Sequence, residues 1–358
     1  MKPRMNSLVL IIFLNLFLSL SSCTAQEDRG IHQDDLAIPA ENLPEAKTDP
    51  WVTESQGNQM SGVVRTIFQS TAGDFWFGTQ SGLFRHNGKS LVNFDIRDSY
   101  GDTAVPRAIA EDEKGNVWFG TDERLTRYDG EYFKTYTKED GLIGGNIWGL
   151  FVDSKGLLWI SSYDGLCYFD GKAFTRFDVP PSTKKDPTRG VSGPNLVWGF
   201  TEDSKGNFWL STEGNLYRYD GTDLKRIPIM EEESDTFVYG ILEDLQGNFW
   251  FGTSQKGLIH YDGKTFTNIT QQYGLSGIEL GGGYEDSQGN IWFASEGVGV
   301  YRFDGSSFTS FSESDGLISH GIHCVLEDSQ GRIWFGGWAG VSRYDGESMV
   351  NVTRDGPW

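Results

Sequence analysis

Seven positions in this chain of 358 residues share one register and carry side chains suited to recognising a charged or planar ligand. Five residues before a recurring turn (Ser70, then Asp112, Asp153, Asp203, Asp244, Asp286 and Asp328) stand Arg65, Arg107, Trp148, Trp198, Tyr239, Gly281 and His323. A guanidinium pairs bidentately with carboxylates, and indole and phenol rings offer flat apolar faces with polar edges. Together they suit an acidic or ring-stacking ligand, such as an oligosaccharide containing uronate. The same residues allow a second chemistry, β-elimination beside a uronate. Arg65 or Arg107 would neutralise the carboxylate, and Tyr239 and His323 would act as base and acid. A third reading is structural: the side chains plug a channel and the arginines pair with nearby carboxylates. Recognition without catalysis is favoured, because it explains the same residues with fewer demands. His320 and His323 form an H-x-x-H pair, but no third ligand accompanies it, so no metal is expected. Nor does the chain carry a nucleophile motif, a phosphate loop or a dinucleotide fingerprint, and no cofactor is expected.

These positions are held in register by an internal repeat. Trp76, Trp118, Trp159, Trp209, Trp250, Trp292 and Trp334 each lie three residues after a Gly, at intervals of 42, 41, 50, 41, 42 and 42. Each opens a strand that ends in small residues, and an aliphatic follows seven or eight residues later. A turn then recurs as Asn87-Gly88, Asp129-Gly130, Asp170-Gly171, Asp220-Gly221, Asp262-Gly263, Asp304-Gly305 and Asp345-Gly346. Asn-Gly and Asp-Gly between apolar runs mark hairpins, with φ > 0 expected at both central residues. Four antiparallel strands repeating about every 42 residues describe a propeller blade. The fold expected is all-β, a seven-bladed propeller of four-stranded antiparallel blades, with each Trp filling the gap between neighbours. The last repeat supplies all four of its own strands, which leaves the manner of ring closure open.

Composition agrees. The 46 Gly, 12 Trp, 14 Tyr and 24 Phe fit short strands and tight turns and exclude a disordered chain. The formal charge of −20 excludes nucleic acid as a partner, since a phosphate backbone needs clustered Lys and Arg. Strand direction puts the Asp turns and Asp-Gly turns on one monotonous face. The connections between blades and the loops after each Trp strand lie on the other, variable face, where binding usually sits. The seven-position register rings the central channel there, and Tyr163 and Trp338, four residues after their blade Trp, extend it. The loop 179–195 with Lys184, Lys185 and Arg189 is a lid or an insertion. The turn aspartates sit one to a blade and bond their own turns, so calcium is not expected. Cys167 and Cys324 read as small buried residues rather than a disulfide.

Segments such as VWGFTEDSKGNFWLSTEGNLYRYDG (197–221) and VYGILEDLQGNFWFGTSQKGLIHYDG (238–263) resemble two-component regulator propeller repeats, as do Asp140-Gly141-Leu142 and Asp315-Gly316-Leu317. The resemblance covers roughly residues 60–355. It implies a sensor of the periplasmic kind found in hybrid two-component systems, many of which respond to glycan fragments in Bacteroidetes. With one ring of repeats and no kinase or DNA-binding segment after Trp358, the chain is expected to need an envelope protein partner to transduce a signal. Streptogramin lyases resemble these blades too, and give the lyase alternative its precedent.

The N-terminus reads as an address. Lys2 and Arg4 precede an apolar run of 13 residues, Leu8 to Leu20, too short for the ~20 residues of a membrane-spanning helix but suited to a secretory signal. Leu20-Ser21-Ser22-Cys23 resembles the lipobox of bacterial lipoproteins, which implies lipidation at Cys23. The domains expected are a signal peptide at 1–22, the lipidated Cys and a flexible acidic tether at 23–55, and the propeller at 56–358. The acidic stretch after Cys23 resembles a Bacteroidetes surface-export signal. The location expected is the cell envelope, lipid-anchored to the membrane on the extracytoplasmic side.

Overall fold

The computed structural model describes residues 58–184, 193–229, 237–254, 256–276, 280–295 and 297–358. The expectations for residues 1–22, for Cys23 and for the tether lie outside them. Seven four-stranded sheets follow one another, each an antiparallel meander in chain order. Blade 1, for example, pairs Val64–Gln69 with Phe75–Thr79, then Gly82–His86, then Leu91–Phe94. Blade 7 does hold all four of its own strands, Ile322–Glu327, Ile333–Gly337, Gly340–Tyr344 and Met349–Val352. No helix among the described residues is long and apolar enough to cross a membrane.

Each gap between blades holds its own apolar core, and a blade Trp sits in every one. Trp76 packs against Phe119 and Tyr128 of the next blade, Trp209 against Phe249 and Phe251, and Trp292 against Phe335 and Tyr344. Trp334 closes the ring by packing on Phe75 and Phe77 of blade 1. Radial packing thus buries both faces of every sheet, which no blade could do alone.

The turn aspartates organise the indoles. Asp203 Oδ1 accepts the turn N–H groups of Lys205 and Asn207, while Oδ2 accepts Trp209 Nε1–H at 3.0 Å. The same indole bond recurs on Asp112, Asp153, Asp244, Asp286 and Asp328. Their carboxylates act inside their own turns, as the sequence indicated. Cys167 and Cys324 are buried and form no disulfide with one another.

The Asp-Gly turns depart from the expected geometry. Gly130 has φ of 100°, but among the described non-glycine residues only Asn146 and Ala339 have positive φ. Asp129 instead pairs its N–H with the Tyr132 carbonyl, and its Oδ1 accepts from the N–H groups of Glu131 and Tyr132. The side chain bonds two residues ahead, so the aspartate need not enter the left-handed region.

A second ring of bonds links neighbouring blades on this face, through a Glu that precedes most turn aspartates. Glu202 accepts both N–H and Oγ–H of Ser154, Glu243 those of Ser204, Glu327 those of Ser287, and Glu111 those of Thr71. Gln69 takes the part for blade 1, accepting the N–H of Ser329 across the seam. Glu285 has only the Leu245 N–H, because Leu245 lacks a hydroxyl, and its Oε1 is buried without a donor among the described residues. Burial raises the Glu285 pKa to about 7, with Asp244 and Asp286 adding to the shift and the Leu245 bond opposing it. A folded value above the unfolded one means the native state takes up the proton first. Glu285 therefore costs stability above pH 7, and that cost fades as pH falls towards the ordinary glutamate range near 4.3. Leu245→Ser restores the missing donor. It is expected to raise stability at pH 8 by about 1 kcal/mol and to flatten this part of the pH profile, read by thermal melts from pH 5 to 8.

Candidate functional site

At the other end of the channel the inner strands begin, and there the ladder is interrupted in nearly every blade. Pairing skips Arg65 between Val64 and Thr66, Trp198 between Val197 and Gly199, Tyr239 between Val238 and Gly240, and His323 between Ile322 and Cys324. Blade 3 skips Trp148 and blade 6 skips Gly281 and Gly282. Arg107 stands just before its strand, Ala108–Glu111. A bulge turns one side chain out of the sheet's alternation, so the seven-position register is a register of bulges. The small residue after each has a packing cause: a Cβ on Gly149 would stand 2.8 Å from Cε1 of Phe200 in the next blade.

The structure joins the named side chains into a continuous arc. Arg65 lies near enough to His323 to lower its pKa, and Arg107 near enough to Arg65 to lower that of Arg65. The Arg107 guanidinium lies over Trp148 at 4.5 Å, Trp148 meets Trp198 at 6.0 Å, and Trp198 meets Tyr239 edge-on at 4.9 Å. Gly281 adds no side chain. The arc has two unlike halves. Trp148, Trp198 and Tyr239 are only 2–4% exposed and form a sealed cluster with Leu196 and Phe237. In blades 1 and 2 the lining is cationic, with His323 of blade 7 beside it, and Arg65 keeps partial exposure. There His323 lies 5.5 Å from the ring of Trp338, which is 36% exposed. Tyr163 is similarly exposed, on the aromatic side.

Three polar residues escaped the sequence reading. Asp122 forms an ion pair with Arg107, and Asn146 Oδ1 accepts from Arg107 Nη1 at 3.5 Å. Buried Glu213 accepts from Trp198 Nε1 at 3.2 Å. Asp122 and Glu213 stand four residues after their blade Trp, the same offset as Tyr163 and Trp338. That shared offset was the available signal; only its aromatic members were taken up. Asn146 holds φ of 52°, outside the comfort of a non-glycine residue, and its backbone bridges the Asp122 and Tyr163 loops.

Electrostatics separate the groups further. Burial and the neighbouring Arg107 push Arg65 down to about 10, against the pull of Asp122. Burial also lowers Arg107, opposed by Asp122, and raises Asp122, opposed by both arginines. Both guanidinium groups stay charged at neutral pH. His323 is pushed down to about 3 by burial and by Arg65, so its imidazole is neutral. Among the described residues Arg65 has no carboxylate within ion-pair distance, whereas Arg107 has Asp122. Trp148 Nε1 is buried without an acceptor among the described residues.

The H-x-x-H pair is divided: His320 meets Glu313 at the surface at 2.9 Å while His323 is buried. No group of three or more His, Cys, Asp or Glu among the described residues is placed to hold a metal. Tyr239 and His323, paired above as base and acid, belong to blades 5 and 7, with blade 6 between them. Of the loop 179–195, Ser182 bonds the Pro194 and Glu213 carbonyls and Lys184 lies against Gly214; Lys185 and Arg189 fall outside the described residues. A recess of about 610 Å³ lies on the opposite face, lined by Glu202, Glu243, Leu245 and Glu285. Its walls are the repeating turns, whose polar groups mostly bond one another, so it follows from the architecture rather than from a cluster of variable residues.

The profile of the two component regulator propeller family matches residues 99–123, 141–164 and 316–339. Each window contains one position of the arc and the residue four past its Trp: Arg107 with Asp122, Trp148 with Tyr163, His323 with Trp338. In three segments the chain thus matches the repeat of this family. Among solved structures it is similar to the extracellular domain of the hybrid two component system BT3049 from B. thetaiotaomicron, at 22% identity and a TM-score of 0.65, covering 80% of this chain and 40% of that one. The corresponding domain of BT4673 from the same organism gives 18% and 0.63, covering 84% and 39%. The chain therefore spans about two fifths of each of those domains. Virginiamycin B lyase from Staphylococcus aureus, solved with quinupristin, gives 15% and 0.62, covering 84% of this chain and 97% of that chain. At these identities the likenesses speak to the fold. No curated protein matches the chain.

Proposed function

We propose that this chain is an extracytoplasmic recognition propeller, lipid-anchored through Cys23, that binds an acidic glycan fragment or a similar small anion at the mouth formed by the bulged residues. In this reading it reports occupancy to an envelope protein partner. The observation that carries it is Arg65: a guanidinium bulged into the channel, largely buried, beside a second arginine and, among the described residues, without a carboxylate of its own. A buried unpaired charge is costly, and an anionic ligand relieves that cost. Trp338, 36% exposed and next to His323, supplies a ring for stacking against a sugar face. Similarity to extracellular sensor domains supports the location and the sensing role. Nothing specific favours the lyase reading, since Tyr239 is committed to the sealed aromatic cluster.

The test is Trp fluorescence of the purified protein against neutral and uronate-containing oligosaccharides, with ultraviolet absorbance followed for unsaturated product ends. Acidic oligosaccharides are expected to bind without product, and Arg65→Ala with Arg107→Ala to weaken binding at least ~30-fold. Product formation would establish the lyase, and unchanged binding in the double variant would remove the mouth from the account. For the anchor, Cys23→Ser is expected to move the protein out of the membrane fraction.

A further inference from the structure

The mouth carries its own carboxylate, and its charges can be counted. At its cationic end Arg65 and Arg107 contribute two positive charges and Asp122 one negative, while Glu213 belongs to the aromatic end, against Trp198 Nε1. The neighbouring acids are engaged elsewhere. Glu123 accepts from the Ser99 N–H and Oγ–H and pairs with Arg124 at 3.4 Å, and Asp98 accepts from the N–H groups of Tyr100 and Asp102. With His323 neutral, these three groups leave one positive charge at this end of the mouth. It resides on Arg65, because the geometry assigns Asp122 to Arg107. Arg107 is held there from two further sides, by the Trp148 ring and by Asn146 Oδ1.

We infer that Asp122 is a built-in counter-ion that occupies Arg107 and sets the mouth to accept ligands presenting a single anionic group, a carboxylate, to Arg65. The inference rests on the reading of the mouth as the recognition site and adds its selectivity. A carboxylate matches a guanidinium in planar, two-bonded geometry and balances the one remaining charge. A second anionic group on the same ligand would meet the Asp122 carboxylate beside a guanidinium already taken. Like charges brought together in a poorly solvated site repel strongly. Asp122 thus discriminates by repulsion as well as by occupying its partner.

The test uses three probes on one six-carbon skeleton with no, one and two carboxylates: D-glucose, D-glucuronate and D-glucarate. Each is titrated calorimetrically into the full chain at low chloride. In the wild type glucuronate is expected to bind, glucose not to bind, and glucarate to bind no more tightly than glucuronate despite its extra charge. Asp122→Asn keeps the shape and frees Arg107, so glucarate should gain about tenfold over glucuronate. Asp122→Glu, which restores the charge, should return the wild-type order and separates loss of charge from loss of fold. Arg65→Met should abolish binding of both acids. If uronate oligosaccharides bind but Asp122→Asn leaves the preference between the two acids unchanged, the counter-ion role is wrong and the recognition site stands. If neither glucuronate nor glucarate binds and acidic oligosaccharides fail as well, both are wrong.

Discussion

Asp203→Ala is expected to lower the unfolding free energy by about 3 kcal/mol, the largest effect of any single side chain on the turn face. The carboxylate accepts from Lys205, Asn207 and Trp209 at 2.8–3.0 Å and is almost fully buried. Alanine would leave the Trp209 indole and the Asn207 backbone N–H unsatisfied inside the gap between blades 4 and 5. Each such loss costs about 1–3 kcal/mol, partly offset where water reaches the turn. Burial alone would raise the Asp203 pKa, but the bonds from Trp209, Asn207 and Lys205 outweigh it and hold the carboxyl below its usual range. A depressed folded value contributes stability above the unfolded aspartate value near 3.9, and that contribution is lost as pH falls through the folded value. The variant should therefore melt about 6 °C lower at pH 7 and differ less from wild type at pH 3, read by calorimetry at both. Blade 1 supplies the converse. Ser70 replaces the aspartate there, and Trp76 Nε1 is buried with no acceptor among the described residues. Ser70→Asp should place a carboxylate where the other six blades have one, raising stability by about 1 kcal/mol. A melt unchanged in Asp203→Ala would mean that the turn carboxylates merely accompany the fold.

The contrast between those blades shows what was readable from residue types. The seven Trp residues and their Asp-Gly turns repeat with little variation because every gap between blades must be filled alike, so one chain carries seven copies of the same constraint. The propeller was legible for that reason. The bulges were not, since skipping Arg65 or Trp198 in the ladder leaves no gap in the sequence pattern. Only the run of small residues after them, from Thr66 to Cys324, hinted at close approach. The partition of the arc into a sealed aromatic half and a cationic half depends on Leu196 and Phe237, each two residues before its bulged residue, a position where the other blades carry Val63, Val105, Asn146, Glu279 and Gly321. Asp122 and Glu213 were hidden differently. Their offset from the blade Trp is regular, yet the residues there are Gln80, Asp122, Tyr163, Glu213, Ser254, Glu296 and Trp338, and a position that varies so widely shows its role only when its neighbours are in place. The hairpin aspartates misled for the opposite reason: their pattern was regular, but side-chain bonding in the turn removed the need for positive φ.

Ring closure is the feature that no repeat could encode, and it carries the second large effect. Among the described residues no strand crosses from blade 1 to blade 7, and the isolated bridge of Val63 with Trp338 and the Ala339 N–H to Gly62 carbonyl bond join their backbones. Trp334 fills the seam, and the segment after the last strand clasps it from outside. Trp358 stacks on His86 with ring centres 4.1 Å apart and planes within 12°, and its carbonyl accepts from Arg332 Nη1 at 3.2 Å. Arg354 donates through Nε and Nη2 to the carbonyls of Gln59 and Met60, lies over Phe84, and pairs its backbone with Asn58. The clasp therefore ties the residues leading into blade 1 to those leaving blade 7. Trp358→Ala removes a half-buried ring and should cost about 2 kcal/mol, below the 3–5 typical of a fully buried one, while Trp358→Phe keeps most of the stacking. Deleting residues 353–358 also removes the Arg354 bonds and should cost about 4 kcal/mol. Because each blade touches only its neighbours, the damage should be local. Amide exchange should accelerate first in Val64–Gln69 and Ile333–Gly337, the strands beside the seam, with blades 3 to 5 unaffected until global unfolding. Acid should act at the same place, since burial holds the His86 pKa below its ordinary value. A depressed histidine contributes its full stability above about 6.5 and loses it as pH falls through the folded value. Uniform acceleration across all seven blades would refute the clasp, for it would mean that the ring has no weakest joint.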